Sequence, residues 1–311
     1  MRTLLIAALL TAACSKSSPG TVANKAGSPG GADYSATIAD PLGFLPVDSE
    51  VVMALDANRL RATPLYQRLA PDMLSRIGGA LDELNQMCGF DMLGSIRGIS
   101  VGLSQVGSDN PTGVAVVSGL PRDKSMACID TANQKKPGQF TRDGDVVFQQ
   151  ASSGKVAFMF VDASTAVTYM GPDVSKQRLM TVLAGGAPLR KSPAFMEMFG
   201  LVKADDPIWF FVNGNAKFMQ EMAAMGVRPK AMFGSLAVDS GLAATMRVRL
   251  DSNQSAQSLA QMAQSQTQMA SGFFEKLEFT ADGNDTVLSA SMTQAQLDNL
   301  LAMVGSMLGG P

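Results

Sequence analysis

Short β-forming runs and helical runs alternate along this chain in an order that reads twice, and that order limits the fold more than any single motif. The first pass opens on the strand run Val51-Val52-Met53-Ala54-Leu55-Asp56. Helical spacing follows in Leu65, Leu69, Met73, Ile77, Leu81 and Leu84, with Pro64 suited to a first helical turn after Thr63. Strand runs at 99–105 and 113–120 flank the turn-rich 107–111. A short helix carries Cys128, and strands are expected at 139–150, 155–161 and 165–170. Gly171-Pro172-Asp173 starts a helix that ends at Gly185-Gly186.

The second pass has a strand at 207–212 and helices from Asn215 to Phe233 broken at Pro229. A hairpin of 236–238 and 242–250 turns at Asp239-Ser240-Gly241, and a helix covers 253–269. Strands at 275–280 and 286–292 meet at Asp282-Gly283-Asn284, and an amphipathic helix runs over 293–307. Both passes read β-α-ββ-α-β-sheet-α. This predicts an α+β fold with a largely antiparallel sheet and a two-fold internal duplication resting on element order. The expected halves are 41–190 and 191–311.

Ahead of the body stands a leader. Met1-Arg2-Thr3 gives one positive charge, Leu4 to Leu10 a short apolar run, and Thr11-Ala12-Ala13 the small residues of a cleavage site. These are the parts of a secretory signal peptide over 1–13, and the apolar run is too short to stay in a bilayer as a spanning helix. Cys14 directly after the small residues resembles the lipobox of bacterial lipoproteins, although Thr11 stands where that motif usually has Leu. The resemblance implies that Cys14 becomes the lipidated first residue; the alternative is a plain signal peptide followed by an incidental cysteine. It also implies sorting to the outer membrane, because Ser15 rather than Asp follows the cysteine. Residues 14–40 are rich in Ser, Gly, Pro, Ala and Thr and have little apolar surface to bury. They are expected to be a flexible tether, which at roughly 25 residues spans about 25–30 Å on average.

A second resemblance lies in the body. Leu45-Pro46, Asp48-Ser49 and Val51-Val52, then Asp56 and Arg59-Leu60-Arg61-Ala62-Thr63-Pro64-Leu65, resemble the opening of lipoproteins from delta-proteobacteria such as myxobacteria. Cys88-Gly89-Phe90-Asp91 with Leu93 and Ser95-Ile96 is similar to the next segment of the same group. That group has no assigned activity, so the resemblance implies a lipid-anchored place in the cell envelope and no catalytic residue.

Composition excludes several classes of function. With 46% hydrophobic and 17% charged residues the body is globular, and a net charge of −2 offers no basic footprint for nucleic acid. The chain has no histidine. That removes Ser-His-Asp and Cys-His nucleophiles, histidine metal sites, and the commonest general base near neutral pH. No GxSxG, Walker-type or GxGxxG motif occurs. The carboxylate pairs Asp205-Asp206 and Asp143 with Asp145 sit in expected turns, where Asp is common for backbone reasons. No catalytic residue, metal ligand or cofactor is therefore expected.

Two features remain. Cys88 and Cys128 are expected to form a disulfide in an oxidising compartment, the alternative being two buried thiols. Methionine is abundant, 21 residues against one Trp and three Tyr. Met219, Met222, Met225 and Met232 cluster around a helix break expected at Gly226 and Pro229. The ordinary role of such methionines is to fill core gaps; a flexible thioether surface for an apolar ligand or a Cu(I) site are the alternatives. Two functions follow: a non-enzymatic envelope lipoprotein that acts as a structural or docking component for another envelope protein, or a carrier whose Met-bearing helices cradle an apolar ligand.

Overall fold

The body starts on a strand that its own half does not keep. In the computed structural model, which describes residues 40–75, 78–151, 154–185, 188–224, 226–267 and 272–308, β1 (Val51–Asp56) leads into α1 (Ala57–Ala62), α2 (Pro64–Ser75), α3 (Gly78–Cys88) and α4 (Met92–Ser95). The hairpin β2 (Gly98–Ser104) and β3 (Thr112–Ser118) precedes α5 (Arg122–Lys135). A meander of β4 (Phe140–Asp143), β5 (Val146–Ala151), β6 (Gly154–Phe160) and β7 (Thr165–Met170) ends at α6 (Lys176–Leu183). Then come α7 (Pro193–Phe199), β8 (Ile208–Asn213), α8 (Lys217–Ala224), β9 (Ala231–Val238), β10 (Leu242–Arg249), α9 (Asn253–Ser265), β11 (Lys276–Asp282), β12 (Asp285–Met292) and α10 (Gln294–Leu308). The leader, Cys14 and the tether lie outside the described residues.

The chain divides into two units. The first takes the segment ending at Ser49 together with Ala70–Ser192, and the second takes Glu50–Leu69 with the chain from Pro193 onward. The division near residue 191 agrees with the order of elements, but residues 50–69 belong with the second unit rather than with 41–190. The reason is a long-range ladder. β1 pairs antiparallel with β8, from Val51 opposite Val212 to Leu55 opposite Ile208.

Within the first unit the strands lie in the order β2-β3-β7-β6-β5-β4, and every pairing is antiparallel. The pleat gives one face Val114, Val116, Val167, Ala157 and Met159, all buried. α6 contributes the fully buried Leu179, and the segment before β1 contributes Phe44 and Leu45 at 2% and 0% exposure. Leu189 N–H bonds to Leu45 C=O at 2.7 Å, tying the two ends of the unit's chain together. The other face carries α5 and α3, which meet through Leu84, Met87, Cys128 and Ala132.

The second unit has the order β11-β12-β10-β9-β8-β1, again antiparallel throughout. Phe195 and Phe199 of α7 pack edge-to-face on one face against Phe211 and Trp209 of β8 respectively, each pair with a centroid separation of 5.0 Å. α8 and α9 lie on the opposite face, around Met219 and Ala256. β9 has to approach β10 closely: a Cβ on Gly234 would stand 2.1 Å from Thr245 O.

The two units share a topology. In each a hairpin (β2/β3 or β9/β10) is followed by a helix (α5 or α9) and an antiparallel meander, of four strands (β4 to β7) in the first unit and of two (β11 and β12) in the second. The last meander strand returns beside the second hairpin strand, β7 beside β3 and β12 beside β10. A helix then follows, α6 or α10. The expected α+β fold with a largely antiparallel sheet is the observed one, and the element order repeats in part.

Three local expectations change. The run 139–150 is not one strand but a hairpin, turned at Gly144 with φ of 65°. The helix carrying Cys128 is not short; it runs for 14 residues. The segment after Pro229 is not a second helix: Ala231–Val238 is β9, flanked on both sides by β8 and β10. A strand buried on both faces is apolar at successive positions, so its period cannot be told from a short buried helix. Pro64 does open α2, where Thr63 Oγ1 accepts the Tyr66 N–H at 3.2 Å.

Candidate functional site

The methionines expected to line an apolar surface come, among the described residues, from a helix and from a strand. Met219 lies on α8 and is 1% exposed, packed with Val212 and Ala216 against Val51, Phe210 and Met232. It is a core residue and lines no groove. Met232 lies on β9, half-buried between that cluster and a second one of Val248, Leu250 and Ala256. The Met222 side chain and Met225 lie outside the described residues. The turn at Gly226 (φ of 89°) and Pro229 moves the chain from helix to strand. It therefore sends Met232 into the sheet and not along a Met-bearing helix. A strongly exposed thioether is found elsewhere, at Met262 of α9, 52% exposed.

The cysteine pair is joined. Cys88 at the end of α3 and Cys128 in α5 form a disulfide, with Cα atoms 4.4 Å apart. It pins the two helices that cover one face of the first unit's sheet, beside Met92 and Phe140.

A feature that sequence reading missed is an ionic cluster on the second unit's sheet. Arg247 and Arg249 alternate on β10 and so project from the same face. Their neighbour across the ladder is β12, where Arg249 stands opposite Asp285. The Asp285 side chain is 3% exposed and accepts from Arg249 Nε, from Arg249 Nη2 at 3.3 Å and from Arg247 Nη1 at 3.3 Å. Arg247 also meets Asp282 at 2.8 Å, and Arg249 meets Glu197 of α7 at 2.8 Å. The hydrogen bond to Asp285 raises the Arg249 pKa above its already high ordinary value, and the bond to Glu197 adds to this against the cost of burial. The signal in sequence is an Arg-x-Arg on a strand, but its acidic partners follow only from register.

The carboxylates singled out in the sequence are held one by one. Asp143 pairs with Lys176 at 2.8 Å and Asp145 with Arg122 at 3.4 Å. Asp205 pairs with Arg59 at 3.2 Å, and Asp206 accepts the Ser235 hydroxyl at 2.5 Å. Among the described residues no group of three or more Cys, Asp or Glu could hold a metal ion. None of their helices is long and apolar enough to cross a membrane. A shallow depression of about 490 Å³ lies between α9 and β11, bordered by Gln257, Gln261, Gln264 and Phe279. Carboxamides and one ring give it hydrogen-bonding capacity and no titratable group.

Neither a protein-family model nor a curated protein matches this chain. Among solved structures it is similar to crystal form I of TP0453, with a TM-score of 0.52 and 10% identity over 85% of this chain and 97% of that one. Crystal form III gives 0.52 and 8%, covering 85% and 98%, and crystal form IV gives 0.51 and 11%, covering 84% and 96%. At these identities the likeness establishes a shared fold.

Proposed function

We propose that this chain is a non-enzymatic lipoprotein of the bacterial cell envelope, anchored by lipid on Cys14 and acting there as a structural or docking component. The observation that carries the reading is the partition of its three cysteines. Cys88 and Cys128 close on each other, which leaves Cys14, directly after the leader, as the thiol available for lipid. A structural bridge of this kind persists in oxidising compartments outside the cytoplasm. The tether of small polar residues and the resemblance to delta-proteobacterial lipoproteins support the same address, and Ser15 supports the outer membrane.

The non-enzymatic part rests on what the side chains are engaged in. The chain has no histidine, and the acidic residues considered for catalysis each hold a cation or a hydroxyl. The docking reading is preferred to the carrier reading because Met219 and Met232, two of the four methionines that would line a cradle, pack into core clusters.

Two measurements test the proposal. Cys14→Ser is expected to move the protein from the membrane fraction to the soluble envelope fraction, and retention in the membrane would refute the anchor. Native mass spectrometry of protein extracted gently from its own membranes is expected to show the chain with lipid on Cys14 alone. A further lipid-sized adduct would replace the docking reading by the carrier reading.

A further inference from the structure

The outermost strand of each unit is closed by the same device. β11 ends the second unit's sheet and β4 the first unit's. Phe279 of β11 stands opposite Leu288 of β12, but its N–H points away from that ladder and is accepted by Gln264 Oε1 at 2.8 Å. Phe140 of β4 stands opposite Gln149 of β5, and its N–H is accepted by Asn133 Oδ1 at 3.2 Å. Gln264 lies in the last turn of α9 and Asn133 in the last turn of α5, the two helices that the shared topology places in correspondence. In both units a side-chain carboxamide therefore stands where the carbonyl of an added strand would bond.

The two edges differ in what they would accept. β4 has four residues, too few for a stable added ladder. β11 has seven, Lys276-Leu277-Glu278-Phe279-Thr280-Ala281-Asp282, and its outward N–H groups alternate with Phe279, at Leu277 and Ala281. A second β11 laid antiparallel about Phe279 sets Leu277 opposite Ala281 and Lys276 opposite Asp282, the latter twice by symmetry. Glu278 then falls opposite Thr280, so no like charges are opposed. The Lys276 and Asp282 side chains are 57% and 65% exposed; within one chain they pair with Glu278 at 2.7 Å and Arg247 at 2.8 Å, solvent-screened pairs that an opposite charge on a second copy can share. Such an isologous contact closes as a two-fold dimer and uses up the edge.

We propose that β11 is an association strand for a second copy of this chain, and that Gln264 holds it closed. The carboxamide is itself oriented by Thr267, whose Oγ1 lies 3.4 Å from Gln264 Nε2. Association exchanges the Gln264 bond for the Phe279 carbonyl of the partner, so the monomer and dimer satisfy the same donor. The latch is a competitor and not a block.

The test uses the mature chain with Cys14→Ser, so that no lipid is present, in sedimentation equilibrium. Gln264→Ala is expected to lower the dimer dissociation constant by about tenfold or more, because the Phe279 N–H then has no internal acceptor in either copy. Gln264→Glu keeps an acceptor and is expected to match the parent. Adding Leu277→Pro to Gln264→Ala removes an outward N–H without touching the internal ladder, and is expected to restore the parent value. An unchanged dissociation constant for Gln264→Ala, or a dimer indifferent to Leu277→Pro, would overturn the proposal. A second measurement stands whether or not Gln264→Ala folds. In the otherwise unaltered lipid-free chain, Phe279→Cys lies on the two-fold axis and is expected to cross-link to a covalent dimer at least about tenfold faster than Thr280→Cys. Equal rates would overturn the register.

Discussion

Removing the Asp285 carboxylate tests whether the charge cluster on β10 and β12 acts as one unit. The side chain is 3% exposed and is shared by two guanidinium groups that are each 18% exposed. In Asp285→Ala, Arg247 keeps Asp282 and Arg249 keeps Glu197, but those acids are 65% and 68% exposed and strongly screened. Breaking a buried pair from one side costs roughly 3–5 kcal/mol, and the surviving partners reduce that to about 2–4 kcal/mol. At about 2–4 °C per kcal/mol for a unit of this size, the thermal midpoint falls by roughly 4–16 °C. Arg249 adds a sign. Its pKa is raised by the bond to Asp285, so the stability it contributes is fully present below its unfolded value and is lost only as pH rises through the folded one. The difference between Asp285→Ala and the parent is therefore expected to be the same at pH 6 and pH 9. Near-UV circular dichroism during heating gives the midpoint, and Asp251→Ala, which breaks the exposed pair with Lys230 at 3.0 Å, serves as comparison. A loss no greater than that of Asp251→Ala would refute the reasoning, since it would mean that burial adds nothing to the cluster.

Two further outcomes concern the core and the bridge. Met219→Ala is expected to cost about 2–5 kcal/mol in urea unfolding, while Met262→Ala on the exposed face of α9 stays within about 0.5 kcal/mol; comparable losses would contradict the placement of Met219 in the core. Cys88→Ser with Cys128→Ser opens a loop between residues 40 apart and is expected to cost up to about 4 kcal/mol, read in the first unit's unfolding transition. Thiol titration of the denatured, unreduced lipidated chain is expected to find no free thiol, and two would refute the bridge.

Much of the element order was legible because turn chemistry marks it. Asp239-Ser240-Gly241 and Asp282-Gly283-Asn284 announce hairpins, and both are there. Pro64 after Thr63 announces a helix start, and α2 begins on it. The failures fall where the local signal is degenerate. β9 carries Ala231 and Phe233 at 0% exposure yet has apolar residues on its other face as well, so it mimics a helix continuing past Pro229. Of the methionine cluster, Met219 and Met232 do meet, but inside the core, because the chain changes from helix to strand at Gly226 and brings Met232 back beneath α8.

What the sequence determined by itself is therefore local: the alternation of strands and helices and the turns between them. These depend on composition and on contacts between near neighbours. Tertiary structure alone decided that β1 pairs with β8, that Asp285 sits between Arg247 and Arg249, and that Gln264 and Asn133 close the outer strands. The first two depend on the register of strands far apart in the chain, and the last on how a helix end packs beside the strand that follows it. One residue of slip moves every side chain to the opposite face, and nothing in a short window of sequence records which register the packed core selects.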